Sequence, residues 1–222
     1  MPTYGVIFDM DGVLVDSYAA HLKSWRALAR EVGVEITELQ FAATFGRTSR
    51  AIIRELFGVE DAETIAQYDD RKEALYRDLI RGRVPEMLGA RALVASLHEA
   101  GFRIAVGSSG PPENIELVCG EMKLDALLAA KVTGADVSRG KPDPEVFLLA
   151  AERMGLPPGR CLVVEDAPAG VEAAQRGGMP VIALSGSHEG RALESAERVV
   201  QRLDEIDGVL IRRLTLPAPS SE

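Results

Sequence analysis

Two carboxylates one residue apart, Asp9 and Asp11 in FDMDGVLVDS, follow directly on the apolar run Tyr4-Gly5-Val6-Ile7-Phe8. Three more polar sets stand beyond short apolar runs: Ser108, Ser109 and Gly110 after RIAVG, Lys141 in RGKPDP beyond KVTG, and Glu165-Asp166 after CLVV. Crowded carboxylates repel one another, which costs stability unless a cation neutralises them. Oxygen-only ligands favour Mg2+, which takes few carboxylates and keeps positions open for water and a substrate phosphate. A lysine and a hydroxyl beside such an ion make a pocket for a phosphoryl group. With its charge neutralised, Asp9 can attack phosphorus and carry the phosphoryl group as an aspartyl-phosphate. Asp11, two residues on, can protonate the leaving oxygen and later activate water.

Each residue taken alone has a plainer use. Asp166 can cap the helix that starts near Pro168, Ser108 can be a turn residue, and a lone lysine is usually solvated. Gly140-Lys141 is not a phosphate-binding P-loop, because its spacing from Gly134 is one residue too long and Pro142 replaces the required Ser or Thr. Asp9-Met10-Asp11-Gly12 lacks the later ligands of a calcium loop. It is the conjunction of the four sets that points to phosphoryl chemistry.

The elements that must position them follow from periodicity. Residues 4–8, 103–107, 131–134, 161–164 and 180–184 read as short strands buried on both faces. Amphipathic stretches at 90–100, 144–154 and 168–177 lie between them and read as helices. Strand alternating with helix predicts an α/β fold, a Rossmann-like, doubly wound parallel sheet whose strand C-termini gather on one ligand-binding edge. Residues 17–84 break the rhythm, with helical patterning and no convincing strand, and predict a helical cap inserted after the first strand. The expected division is a catalytic core of residues 1–16 and 85–213, a cap of 17–84, and a frayed tail of 214–222.

The chain has 222 residues, 46% hydrophobic, with a formal net charge of -9. That is enough for a real core, and the acidic balance argues against a nucleic-acid partner. No run approaches membrane-spanning length, and the N-terminus has no signal-peptide pattern. Cys119 and Cys161 are the only cysteines, far apart in sequence, and imply a reducing compartment. The expectation is a cytoplasmic monomer with no nucleic-acid or membrane partner.

The motifs resemble those of the haloacid dehalogenase superfamily phosphatases, in the branch that includes β-phosphoglucomutase and phosphoglycolate phosphatase. FDMDGVLVDS resembles the family's first motif, with Asp9 as nucleophile and Asp11 as acid/base. Ser108 matches the phosphate-holding hydroxyl of the second, with Ser109 beside it, and Lys141 in GKPDPEVF matches the screening lysine of the third. Glu165-Asp166 in VVEDAPAG matches the fourth, whose acids hold Mg2+ together with Asp9 and the main-chain carbonyl of Asp11. The similarity spans roughly residues 3 to 205. It implies a Mg2+-dependent enzyme acting on a small phosphorylated metabolite enclosed by the cap. Asp11 points away from the superfamily's metal-free dehalogenases.

On the cap side, His21 and Ser17 match the hinge of β-phosphoglucomutase and Lys72 a cap lysine. The loop carrying Arg47 and Arg50 resembles its substrate loop. Against these uses, Lys72 in DDRKEALYRD reads by itself as part of a solvated charged face, and Trp25 as packing. After Ser108, where mutases carry a basic residue, this chain has Ser109-Gly110-Pro111-Pro112-Glu113-Asn114 and no positive charge. That departure favours a hydrolase over a sugar-phosphate mutase, which stays as the alternative. A phospho-accepting receiver-like switch uses a similar residue set but has no place for the helical insert.

Overall fold

The structure, a computed structural model, describes residues 3–44, 48–186 and 190–215. It divides into two compact units, Met1–Asp16 with Pro85–Glu222, and Ser17–Val84.

The first unit is built on six strands: β1 (Gly5–Phe8), β2 (Arg103–Gly107), β3 (Leu128–Val132), β4 (Cys161–Glu165), β5 (Val181–Leu184) and β6 (Arg198–Val200). Their spatial order is β3-β2-β1-β4-β5-β6, and every pairing is parallel. Sequential strands run outward from β1 on one side and, after β3, cross back to the other. This is the doubly wound order, whose ligand edge lies at the carboxyl ends flanking β1. The helices of this unit are α5 (Ala90–Glu99), α6 (Pro112–Glu121), α7 (Glu145–Arg153), α8 (Pro168–Arg176) and α9 (Gly208–Thr215). Strand side chains alternate between faces. Ile7, Ala105, Val163, Val181 and Ala183 pack with Phe147 and Ala150 of α7 and Val171 and Ala174 of α8. The alternate residues Val6, Phe8, Ile104, Val106, Leu162 and Val164 are equally buried, and α5 and α9 pack against β2 and β4.

The second unit holds α1 (Tyr18–Glu31), α2 (Glu38–Thr44), α3 (Ser49–Phe57) and α4 (Ala62–Ile80). It has its own core, in which Trp25, Leu28, Phe41, Ile53 and Ile65 are buried together. Asp61 and Thr48 accept backbone hydrogen bonds at the starts of α4 and α3, and Gly58 closes α3 in the left-handed region at φ 65°.

Three differences from the sequence reading have physical causes. The third strand was expected at 131–134 but ends at Val132, because the Thr133 N–H and hydroxyl both bond to the Asp136 carboxylate and pull the chain out of the sheet. Arg153, at the end of α7, ties the same corner: its guanidinium donates to Asp136 Oδ1 and to the carbonyl of Lys131, each at 2.6 Å. Strand β6, helix α6 and helix α9 were not anticipated: β6 has three residues, α9 has eight, and α6 has only a weak apolar stripe. Finally, Leu214 and Thr215, expected in the frayed tail, belong to α9, and Thr215 is buried, its hydroxyl donating to the Ile211 carbonyl. Residues 216–222 lie outside the described residues.

Candidate active site

Strand register brings the polar sets to one level. Phe8 lies opposite Val106 of β2 and Val164 of β4, so Asp9 emerges level with Glu165, and Ser108 one residue further along its own strand. The turn after β1 then holds the acids in place. The Gly12 N–H donates to the Val15 carbonyl, and the N–H groups of Leu14 and Val15 donate to the Met10 carbonyl. Met10, Val13, Leu14 and Val15 are fully buried, so apolar side chains anchor a loop whose acids alternate with them. Gly12 sits at φ 78°, the left-handed region that favours glycine.

Lys141 closes the cluster. Its Nζ donates to Asp9 Oδ1 at 2.6 Å and to Glu165 Oε1 at 2.7 Å. It also lies 4.6 Å from the ring centroid of Phe147, a cation–π contact that stabilises a poorly hydrated ammonium. Glu165 Oε2 accepts the N–H groups of Asp166 and Ala167, both at 2.6 Å. Ala167, the residue before α8, makes no side-chain cap, and Glu165 instead holds the turn that leads from β4 into the helix.

The oxygens of Asp9, Glu165 and Asp166 lie within 4.8 Å of one another, and all three residues are buried. Asp11, half-buried, is not a member of that group. Burial pushes the Asp9 carboxyl up to about 7; Lys141 opposes this, and Glu165 and Asp11 add to it. For Lys141, burial alone would favour loss of the proton, but Asp9 and Glu165 outweigh it and hold the ammonium above the ordinary lysine value. The two directions conflict over one ion pair. The 2.6 Å contact and the two carboxylates on the amine favour a charged Lys141. Three acids facing one lysine leave negative charge in excess, which a cation would relieve.

Ser108 is buried, its N–H donating to the Val132 carbonyl and its Oγ accepting from the Gly110 N–H at 3.1 Å. Ser109 has an exposed side chain. In the helical unit, His21 and Lys72 come together: Lys72 Nζ lies 2.9 Å from His21 Nδ1 and donates to Glu73 at 2.7 Å. His21 stacks on Tyr76 with ring centroids 4.1 Å apart. Lys72 is only 2% exposed and lies over the rings of Trp25 and Tyr76. The solvated charged face expected around it is therefore incorrect at this position, because helix α4 turns Lys72 inward. Arg50 is exposed on the first turn of α3. Arg47 lies outside the described residues.

Sequence reasoning passed over Phe147, which reads as an ordinary core aromatic, and Gly170, which reads as a small helix residue. A glycine inside a helical pattern is the only hint the chain offers of the second.

A protein-family model described as haloacid dehalogenase-like hydrolase matches residues 5–178. The chain is 33% identical over 204 residues to hexitol phosphatase A of Escherichia coli, covering 91% of this chain and 92% of that one. It is 28% identical over 214 residues to the β-phosphoglucomutase of Bacillus subtilis, covering 90% of each. Among solved structures, a HAD hydrolase from Entamoeba histolytica superposes with a TM-score of 0.87 at 22% identity, over 96% of this chain and 99% of that one. A β-phosphoglucomutase from Clostridium difficile gives 0.82 at 22% identity, over 96% and 97%. At such identities the two structures speak to the fold.

Proposed function

This chain belongs to the haloacid dehalogenase-like hydrolases, and from that premise we propose that it is a Mg2+-dependent phosphatase of a small phosphorylated metabolite, a sugar or hexitol monophosphate. The observation that carries this is the convergence of Lys141 on Asp9 and Glu165 beside Asp166 at the carboxyl edge of the sheet. The donor set suits the ion: it is oxygen-only, buried and carries excess negative charge. Asp9 and Asp166 would hold it, with the main-chain carbonyl of Asp11. Both Glu165 oxygens already have hydrogen-bond donors. When bound, Mg2+ supplies charge neutralisation at the phosphoryl oxygens.

Asp9 attacks phosphorus and forms an acyl phosphate, while Asp11 gives its proton to the departing alkoxide oxygen. Asp11 then takes a proton from water, which attacks the same phosphorus, releases phosphate and restores Asp9. Lys141 screens the nucleophile from the incoming phosphoryl charge. Ser108 Oγ accepts from Gly110, an arrangement that leaves its O–H to donate to a phosphoryl oxygen; Ser109 is assigned to the same phosphate. Residues 17–84 are the cap in this reading, with His21, Arg47, Arg50 and Lys72 its candidates for substrate recognition.

The test is a panel of hexitol and sugar monophosphates with Mg2+, following inorganic phosphate and isomerised ester together. Phosphate release is expected, falling about 10⁴-fold in Asp9→Asn. Asp11→Asn should accumulate the phospho-enzyme. Isomerised ester without free phosphate would make the chain a mutase, as its β-phosphoglucomutase relative is named. Full activity in Asp9→Asn would sink both readings.

A further inference from the structure

Gly170 lies in the first turn of α8, where alanine is the better helix former. It is not in the left-handed region, so its own backbone does not call for glycine. Its surroundings do. A Cβ placed on Gly170 would lie 1.7 Å from Glu165 Oε1, 2.0 Å from its Cδ and 2.6 Å from its Cγ. These are overlaps with the middle of a held side chain. Glu165 is 1% exposed and bonded at both oxygens, to Lys141 on one and to the N–H groups of Asp166 and Ala167 on the other. Moving it off Gly170 would disturb all three hydrogen bonds together. Lys141 would then keep Asp9 as its only carboxylate partner among the described residues, and the turn into α8 would lose the acceptor for its Asp166 and Ala167 N–H groups.

We propose that Gly170 is a positioning residue for the reaction: its bare Cα is the seat of the Glu165 carboxylate, which in turn fixes the Lys141 ammonium beside Asp9. The proposal rests on the phosphoryl-transfer reading of the site and adds to it a residue that touches neither phosphate nor metal. Gly120 in α6 is the natural control, because a Cβ there would meet only Asp125 Oδ2, at an ordinary 3.7 Å.

The experiment compares wild type with Gly170→Ala, Glu165→Ala, the double variant and Gly120→Ala. Two readouts are taken: kcat and KM on the best phosphate ester of the panel, and acylation of Lys141 by an amine reagent in metal-free protein, mapped by mass spectrometry. The second needs no turnover. Gly170→Ala should lower kcat about 100-fold, the scale of a roughly 1 Å misplacement, with KM within about threefold. Lys141 acylation should rise severalfold, because the displaced Glu165 carboxylate no longer accepts from the amine and shields it from the reagent. Glu165→Ala should behave alike, and the double variant should be no worse than Glu165→Ala, because truncating Glu165 empties the space that the new methyl needs. Gly120→Ala should match wild type.

Unchanged Lys141 labelling with kcat within about twofold of wild type in Gly170→Ala would overturn the proposal. So would a second, multiplicative loss when Gly170→Ala is added to Glu165→Ala. If Gly170→Ala alone does not fold, the comparison of Glu165→Ala with the double variant still decides. A wild type that turns over nothing would overturn the phosphatase reading instead, and Lys141 labelling would separately accept or reject the seat.

Discussion

Lys141 is one positive charge set against three buried acids, and its removal exposes the electrostatics of the whole edge. Taking away one partner of a buried ion pair typically costs about 3–5 kcal/mol, because the remaining charge stays desolvated. Lys141→Met should therefore melt well below wild type in the presence of a chelator. Mg2+ should return part of the loss, since a cation between Asp9 and Asp166 does some of the neutralising that the ammonium did. Equal melting losses with chelator and with Mg2+ would show that the acids are not balanced in this way. Asp9, Lys141, Glu165 and Asp166 were legible in the sequence because acids and a lysine close behind apolar runs are chemically conspicuous. Phe147 and Gly170 were not. An aromatic ring under an ammonium, or a hydrogen where a methyl would collide, is a fact of placement and leaves no mark of residue type.

Among elements, the corner joining β3 to α7 depends on Asp136. Hydrogen bonding from Arg153 and then from Thr133 holds its carboxyl down at about 2. A carboxyl lowered in the folded state adds stability that is complete above its ordinary value, 3.8, and that fades as the pH falls towards 2. The side chain is 27% exposed, so solvent screening trims the effect, and about 1 kcal/mol is a fair scale. Asp136→Asn should melt about 2–4 °C below wild type at pH 7, with the gap closing near pH 2. A gap independent of pH would mean that the charge contributes nothing. The same corner explains why the third strand was carried too far towards its C-terminus in the sequence reading. KVTG looks like a strand, but Thr133 is drawn off by a side chain three residues ahead, and local hydrophobicity carries no trace of that competition. Strands β1, β2, β4 and β5 had no such competitor and could be read to within one residue.

On the scale of the whole molecule, the helical stretch from 17 to 84 was legible as an interruption of the strand rhythm, and each unit has a separate core. The chain carries one tryptophan, Trp25, buried in the helical unit, and two free thiols, both buried in the sheet unit. Burial pushes Cys119 and Cys161 up to about 12, so neither should react with a thiol reagent at pH 8 until the sheet unit opens. A smaller unit buries a smaller share of its surface. In a denaturant titration Trp25 fluorescence should therefore change at lower concentration than thiol reactivity appears. Coincident midpoints would make the molecule a single cooperative unit. The contact between Arg153 and the Lys131 carbonyl has a consequence for how copies of the protein behave towards each other. Successive carbonyls of a strand point to opposite sides. Val132 turns its carbonyl to the Ser108 N–H next to β2, so that of Lys131 faces the free border of the sheet, and the guanidinium occupies it. With β6 only three residues long at the other border, an incoming strand finds few open sites on which to add. Arg153→Ala would remove that guard, and its signature would be self-association on concentration, seen as rising light scattering, in a protein whose chemical edge is untouched.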